Sequence, residues 1–204
     1  ARTARPIRVG ALMTDPLVET KLLRPRLRRE VVLRPRLSDL LLRGSHRPVT
    51  LVSAPAGFGK TTLLASGFTT APPALNDGHR VAWVSLDARD RVATSFWTYV
   101  LLALDRAVPG SATASLTLLQ SGYAPVETVL AGAVNELSVY DGEVTLVLDD
   151  YHLADDVDVA AGMTFPVDHP TPPHRPGICN RADPVLPPPR ARDPGELLEI
   201  RAGN

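Results

Sequence analysis

The residues best suited to chemistry lie in the stretch 54–62, which reads APAGFGKTT. Gly57 and Gly59 have no Cβ, so the backbone can adopt unusual φ values there and approach a bound group closely. Lys60 supplies a positive charge for the β- and γ-phosphates of a nucleotide, and the Thr61 hydroxyl is of the type that coordinates Mg²⁺. These residue types in this order predict a phosphate-binding loop that works with a magnesium ion.

The loop departs at one position from the P-loop pattern, in which a glycine is followed by four residues and then Gly-Lys-Ser/Thr. Ala54 stands where that first glycine is expected. Alanine has the next smallest side chain, and this position begins the turn as the strand ends, away from the phosphates. Thr62 adds a hydroxyl placed to bond the α-phosphate. The predicted nucleotide-binding residues of the loop are Ala54, Pro55, Ala56, Gly57, Phe58, Gly59, Lys60, Thr61 and Thr62.

A second chemical signal is the apolar run VTLVL, which is followed by Asp149 and Asp150. In P-loop sites a carboxylate at the end of a neighbouring strand holds the Mg²⁺ shell. We therefore predict that Asp149 shares the metal ion with Thr61 and that Asp150 polarises the attacking water. A strand ending in polar residues is common by itself, so the prediction depends on the loop upstream. Two adjacent carboxylates suit hydrolysis better than simple binding.

Three continuous apolar runs predict buried parallel strands, because strands covered on both faces lack alternation. They span Val49 to Ala54, Val81 to Leu86 and Val144 to Leu148. Helices are predicted for Pro35 to Arg43, Lys60 to Thr69, Thr94 to Ala107 and Pro125 to Val139. Strands that alternate with helices predict an α/β fold, here a P-loop NTPase three-layer sandwich with a mostly parallel sheet.

The C-terminal part has a different composition, with 10 prolines among the 29 residues from Pro166 to Pro194. Proline lacks the backbone N–H, so this density predicts an irregular part without long helices or central strands. Glu196 to Ile200 is the one strand expected there. The domain organisation predicted is a basic extended arm with a short helix at 1–47, a P-loop ATPase core at 48–165, and a Pro-rich, partly ordered remainder of the ATPase domain at 166–204.

The formal net charge of zero hides an asymmetry between the ends of the chain. Residues 1–47 contain 12 Lys/Arg and 4 Asp/Glu, whereas the rest contains 10 and 18. A basic arm can contact nucleic acid or dock on the acidic remainder of its own chain. We favour docking, because no aromatic residue is interleaved with these arginines. The single Cys179 fits a cytoplasmic location, and no apolar run reaches the roughly 18 residues that cross a bilayer.

Three motifs together resemble one family. The runs LVSAPAGFGKTTLL, VAWVSLD and LVLDDYHL are similar to the nucleotide-binding domain of the MalT-like, large ATP-binding LuxR-type transcriptional regulators. These belong to the STAND class of P-loop NTPases, which are AAA-like. The resemblance covers about residues 18–200, and alanine at the first loop position is usual in that family.

The resemblance implies further residue roles. Arg181 falls where the family has an arginine at the end of a strand, which senses the γ-phosphate. Arg34 and Arg36 match a segment expected near the adenine and ribose. Before Arg181 the family has a Leu-rich helix and an apolar strand, whereas this chain has five prolines between 166 and 176. A missing or frayed central strand is therefore expected.

The function implied is an ATP-binding signal-transducing module that acts as an ATP/ADP switch with slow hydrolysis, using Mg²⁺. Its expected partners are the nucleotide and either further copies of the same chain or other regulator proteins. No recognition helix is visible, so no direct DNA binding is expected, and no membrane contact is expected either. Two alternatives stay open. A non-functional truncated remnant is compatible with the proline content, and a small-molecule kinase could use the same loop, although no arginine-rich lid is visible. An ABC-type ATPase fits poorly, since its Ser-Gly-Gly-Gln signature is missing.

Overall fold

The fold is an α/β sandwich built on one parallel sheet. The computed structural model describes residues 16–27, 34–44, 49–55, 57–68, 78–168, 174–180 and 197–201. Its strands are β1 (Val49–Ser53), β2 (Arg80–Ser85), β3 (Val144–Asp149), β4 (His174–Asn180) and β5 (Leu197–Arg201). They lie in the order β2-β3-β4-β1-β5, and every pairing is parallel. The predicted fold class is confirmed.

Helices connect these strands. The described ranges contain α1 (Pro35–Gly44), α2 (Lys60–Gly67), α3 (Ala93–Ala107), α4 (Thr113–Ser121), α5 (Val126–Leu137) and α6 (Val157–Asp168). Short 3-10 helices lie at Glu19–Leu22, Ala88–Arg91 and Tyr151–Leu153. Among these described helices, none combines the length and apolar character that would let it cross a membrane.

Alternation along β2 and β3 divides the core into two layers. Trp83 and Val147 pack with Leu64 of α2 and Leu41 of α1 on one face of the sheet. Their strand neighbours pack on the other face in a larger cluster with residues of α3, α4, α5 and α6; these neighbours are Ala82, Val84, Leu146 and Leu148. Successive side chains of a strand point to opposite faces, so helices are required on both sides. This produces the three layers.

Helix α4 is an element that the sequence pattern did not predict. Its first residues include Thr113 and Ser115, which favour turns in isolation. In the structure the carboxylate of Glu136, on α5, accepts hydrogen bonds from the backbone N–H groups of Ala114 and Ser115, both at 3.0 Å. A carboxylate at a helix N-terminus satisfies free N–H groups and complements the helix dipole. The neighbouring helix therefore supplies the cap that the local sequence lacks.

Strand β4 shows that the prediction of no central strand among the prolines is wrong. It lies between β3 and β1 and contains Pro176, which is in register with Leu146 of β3. Pairing with β1 begins only at Gly177, opposite Thr50. Pro176 thus precedes the part of the strand that has partners on both sides, and the early position tolerates a missing N–H.

Helix α6 corrects the related expectation that Pro166 disrupts the helix before this strand. The helix extends from Val157 to Asp168 and includes the proline two residues before its end. A proline removes the hydrogen bond of its own N–H to the carbonyl four residues earlier. Near the C-terminal end that loss affects one turn, while the preceding turns keep their hydrogen bonds.

The segment 16–27, which we call the strap, lies against the core. Lys21 Nζ is 2.9 Å from Asp87 Oδ2 and 2.8 Å from Asp90 Oδ2, and it lies 4.7 Å from the centroid of the Tyr99 ring. The hydroxyl of Tyr99 in turn accepts a 3.0 Å hydrogen bond from the backbone N–H of Val18. This part of the basic arm therefore docks on acidic residues of its own chain.

Candidate functional site: a phosphate-binding loop

The predicted loop lies between β1 and α2 and has the backbone geometry that its glycines allow. Gly57 and Gly59 have φ values of 82° and 79°, in the left-handed region that L side chains rarely adopt. A Cβ at either position would meet no atom within 4 Å, so the space beside both glycines is open. Gly59 is also the N-cap of α2. The loop thus presents an accessible backbone next to a helix N-terminus, where anions are favoured.

Lys60 turns back over the loop. Its Nζ donates hydrogen bonds to the carbonyl oxygens of Ala54 at 2.6 Å and Pro55 at 2.9 Å, and the residue is 7% exposed. Ala54 has no positive φ; among the described residues Asp150 is the only non-glycine that does. Position 54 therefore contributes a carbonyl oxygen in an ordinary backbone conformation, and alanine can do this as well as glycine.

Thr61 links the loop to the acidic strand. Its hydroxyl lies 3.0 Å and 2.9 Å from the two carboxylate oxygens of Asp149, a residue 88 positions away at the end of β3. Burial raises the pKa of Asp149, the negative charge of Asp150 raises it further, and the Thr61 hydrogen bond and Lys60 act in the opposite direction. Thr61 and Asp149, which are predicted to share a magnesium ion, are thus in direct contact. The effects that raise the pKa of Asp149, burial first among them, outweigh those that lower it.

Asp150 has an unusual backbone conformation. Its φ of 58° and ψ of 35° are left-handed, and the residue caps the 3-10 helix 151–153. The backbone N–H of Leu153 donates to the Asp150 carbonyl at 2.9 Å. The imidazole Nδ1 of His152 lies 3.9 Å from the Asp150 Oδ1. Sequence reasoning did not single out His152, because a three-residue helix leaves no periodic pattern to show its direction.

A cleft beside the loop contains part of the predicted site. Its lining residues come from α1 and the residue before it, β1, the loop, α2 and β5: Arg34, Leu37, Val52, Ser53, Ala54, Phe58, Gly59, Lys60, Leu63 and Ile200. Arg34 is exposed and lines this cleft, whereas Arg36 is exposed and does not. Thr62 is half-buried on α2. The cleft has apolar walls and basic groups near the loop.

Two predicted residues, Ala56 and Arg181, lie outside the described residues. The strand ends around the loop are nevertheless placed: Asn180 of β4 and Arg201 of β5 are both in register with Ser53. Since parallel strands end at the same edge of the sheet, β4 and β5 reach the loop from either side. Arg201 was not predicted, although it directly follows the run ELLEI that indicated the strand.

Comparisons with known proteins agree with this geometry. No protein-family model matches the chain. The chain is 34% identical over 154 residues to the HTH-type transcriptional regulator MalT of Yersinia pestis (strain Pestoides F) and of Yersinia pseudotuberculosis serotype O:1b (strain IP 31758). The MalT of Yersinia enterocolitica serotype O:8 has the same identity over the same length. These alignments cover 75% of this chain, which spans 16% of the length of those curated relatives.

A solved structure shows the fold independently. A Walker-type ATPase of Pyrococcus abyssi superposes with a TM-score of 0.53 and 16% sequence identity, over 88% of this chain and 56% of the other. At this identity the likeness shows the fold alone, the α/β sandwich described above. The chain has the fold of a Walker-type ATPase. It belongs to the family of MalT-like transcriptional regulators, and the predicted resemblance is confirmed.

Proposed function

We propose that this chain binds ATP and ADP with Mg²⁺ and acts as a slowly hydrolysing nucleotide switch within a transcriptional regulator. The observation that supports this most directly is the contact of Thr61 with both carboxylate oxygens of Asp149. That contact joins the two residues that P-loop enzymes use for magnesium, one from the loop helix and one from a different strand. A chance Gly-Lys-Thr sequence gives no reason for such a contact.

The residues present fit a nucleotide with its metal ion. The glycine backbone and the N-terminus of α2 would hold the phosphates, and Lys60 would exchange its loop carbonyls for phosphate oxygens. Thr61 and Asp149 would hold Mg²⁺, which neutralises charge on the phosphates when bound. Asp150 is the group predicted to polarise the attacking water, and Arg34 lies in the cleft expected to hold the base and ribose. Arg36 and Arg181 remain proposed contacts.

The output proposed for the switch is a change of partners. Nucleotide-dependent ordering of a segment can alter self-association or contact with other regulators. We also propose a cytoplasmic location, as expected for a regulator of transcription, and no direct binding of this chain to DNA.

Binding of a fluorescent ATP analogue, with and without Mg²⁺, tests the proposal. We expect wild type to bind more tightly with Mg²⁺ and Lys60→Ala to weaken binding by at least about tenfold, since charged hydrogen bonds to phosphate contribute about 1.5–3 kcal/mol. Arg106→Ala is the matched control, because Arg106 is an exposed cation on α3 that does not line the cleft. Wild type binding no better than Lys60→Ala would contradict the switch and favour the inert remnant.

Phosphate release separates a switch from a kinase. The switch should release phosphate slowly from ATP alone, and Asp150→Asn should abolish this release while leaving the binding of nucleotide intact. A kinase would instead transfer phosphate only when an acceptor metabolite is added. Acceptor-dependent ADP formation without free phosphate would therefore overturn the proposal.

A further inference from the structure

Helices α1 and α2 are in close contact at a glycine. An ideal Cβ built on Gly67, the last residue of α2, would lie 2.5 Å from Cδ2 of Leu41 on α1. Carbon atoms in contact are normally about 3.5–4.0 Å apart, so the space that a larger residue would need is already filled by the leucine. Gly67 has no positive φ, and its backbone would therefore accept alanine. What requires a glycine here is the neighbouring helix.

The same two helices carry walls of the cleft one turn earlier. Leu37 precedes Leu41 by four residues and lines the cleft beside the phosphate loop. Leu63 precedes Gly67 by four residues and lines the same cleft. Residues four apart lie on the same face of a helix, so the glycine contact and the cleft lie along the same sides of α1 and α2. The contact at Gly67 therefore limits the distance between Leu37 and Leu63, and with it the position of Arg34 just before α1.

Leu41 has little room to move aside for an added atom. It is 2% exposed and packs in the core cluster that also contains Trp83 and Val147. The opposite side of α1 is exposed at Arg36 and Asp39. The whole helix can therefore shift outward more readily than its buried leucine can rotate. A methyl group at position 67 is expected to displace α1 from α2 by about 1 Å.

We propose that Gly67 is a positioning residue for the cleft wall formed by α1: by letting α1 lie against α2, it holds Leu37 and Arg34 at the spacing that a nucleotide base and ribose require. The inference rests on the proposed function, in which this cleft holds the base and ribose. The phosphates instead meet the loop backbone and Lys60, which do not belong to α1. Gly67 therefore governs recognition of the nucleoside part of ATP and not of its phosphates.

Binding of ATP and of inorganic tripolyphosphate, each with Mg²⁺, separates these two contributions. We expect Gly67→Ala to raise the Kd for ATP at least about fivefold, because a gap of roughly 0.5–1 Å forfeits a quarter to a half of the dispersion attraction at each contact. The Kd for tripolyphosphate should change by less than about twofold, because the loop and the N-terminus of α2 stay in place. Isothermal titration calorimetry measures both. An unchanged Kd for ATP, or equal losses for the two ligands, would overturn the proposal.

A compensating substitution tests the contact itself. Valine ends one carbon earlier than leucine, so Leu41→Val makes room for the methyl group that Gly67→Ala adds. The double variant should therefore recover the wild-type Kd for ATP. No recovery would contradict the proposal.

The matched control is Gly132→Ala, which crowds a different pair of helices. A Cβ on Gly132 of α5 would lie 2.8 Å from Oγ of Ser115 on α4, and neither residue lines the cleft. This substitution should leave the Kd for ATP within about twofold of wild type, because distant sites act independently. A loss as large as that of Gly67→Ala would show that the effect does not depend on α1, and would refute the proposal.

Crystal structures without nucleotide give a readout that does not depend on ATP. We expect α1 in Gly67→Ala to lie about 1 Å farther from α2 than in wild type, and to return in the double variant. An α1 that stays in place would rule out the role of Gly67 as a spacer. A displaced α1, in a protein whose wild type binds neither ATP nor tripolyphosphate, would contradict the proposed function and leave the spacer role supported.

Discussion

At the scale of single residues, Asp149 is a buried carboxylate whose ionised form lowers the stability of the folded protein when no cation is bound. The side chain is 5% exposed, accepts from the Thr61 hydroxyl and is followed directly by a second carboxylate. Burial and the neighbouring charge both raise its pKa, which means that the ionised form is disfavoured in the folded protein. A divalent cation would reverse that preference.

We predict that Asp149→Asn stabilises the protein without nucleotide. Because the folded-state pKa is raised above the unfolded value, ionisation of Asp149 removes stability as the pH rises through that interval, and the loss persists at neutral pH. Asparagine cannot ionise, so Tm at neutral pH should rise by roughly 2–4 °C, on the order of 1 kcal/mol, while Mg²⁺-dependent nucleotide binding falls. Differential scanning calorimetry measures the first effect.

The matched control for this substitution is pH. Near pH 3 both proteins carry an uncharged group at position 149, so their Tm values should converge. A lower Tm for Asp149→Asn at neutral pH would show that the ionised carboxylate is stabilised by its surroundings.

Proximity was predictable where a single side chain carries the expected chemistry, although the roles of these residues stay predictions. Lys60, Thr61 and Asp149 were expected to act together, and the structure brings them into one place. Ala54 was predicted as part of the loop, but the hydrogen bond that its carbonyl accepts from Lys60 was not, since a backbone carbonyl has no side-chain signature. His152 was missed for a related reason, because its position depends on a left-handed turn that an aspartate rarely adopts.

At the scale of elements, the strap is held by charge at a buried position. Asp90 is fully buried and its Oδ2 accepts from Lys21 Nζ and from the Asp87 N–H. Burial alone would lower the pKa of Lys21, but the hydrogen bonds and charges of Asp90 and Asp87 outweigh it, and the pKa is raised. Removing one member of such a group leaves a buried charge without its partner.

We predict that Lys21→Met destabilises the protein by about 2–3 kcal/mol, less than a fully buried pair because water reaches part of the lysine. Urea unfolding at neutral pH measures the change. Adding Asp90→Asn to Lys21→Met should recover part of the loss, because the uncompensated charge is removed. Arg26→Met, at an exposed position of the strap, serves as the control and should change stability by less than about 0.5 kcal/mol. Equal effects of the two single substitutions would contradict this account.

The errors of element prediction have physical causes. The proline content led to the prediction that no central strand lies in this part. It could not show that Pro176 precedes the residues at which β4 pairs with β1. Helix α4 was missed because Glu136, its cap, lies on another helix. Both depend on tertiary contacts, which local patterns do not contain. The bounds of β2 and β3 were predicted to within a residue, because strands that are buried on both faces consist of continuous apolar runs.

At the scale of the whole molecule, the order of strands determines when each part can fold. Arg80 of β2 pairs with Val144 of β3, while Thr50 of β1 pairs with Gly177 of β4, at roughly twice the separation along the chain. The larger core cluster also lies on β2, β3 and the helices around them. Closing the longer loop costs more entropy before its contacts are gained.

We therefore predict that β2 and β3 form before β1 joins the sheet. Pulse-labelling hydrogen exchange during refolding should show protection of the amides of Ala82, Val84 and Leu146 before that of Thr50 and Val52. The amides of α3 serve as an internal reference for the early phase. Simultaneous protection of all three strands would contradict the order.

The position of β1 has a consequence for synthesis on the ribosome. Its two partners, β4 and β5, come last in sequence among the strands that the structure describes. Among the described strands, β1 therefore has no partner until translation has passed position 174, and until then both of its edges can pair with another chain. Nucleotide binding would therefore favour only the folding steps that follow the pairing of β1, because the loop is connected to the sheet through that strand.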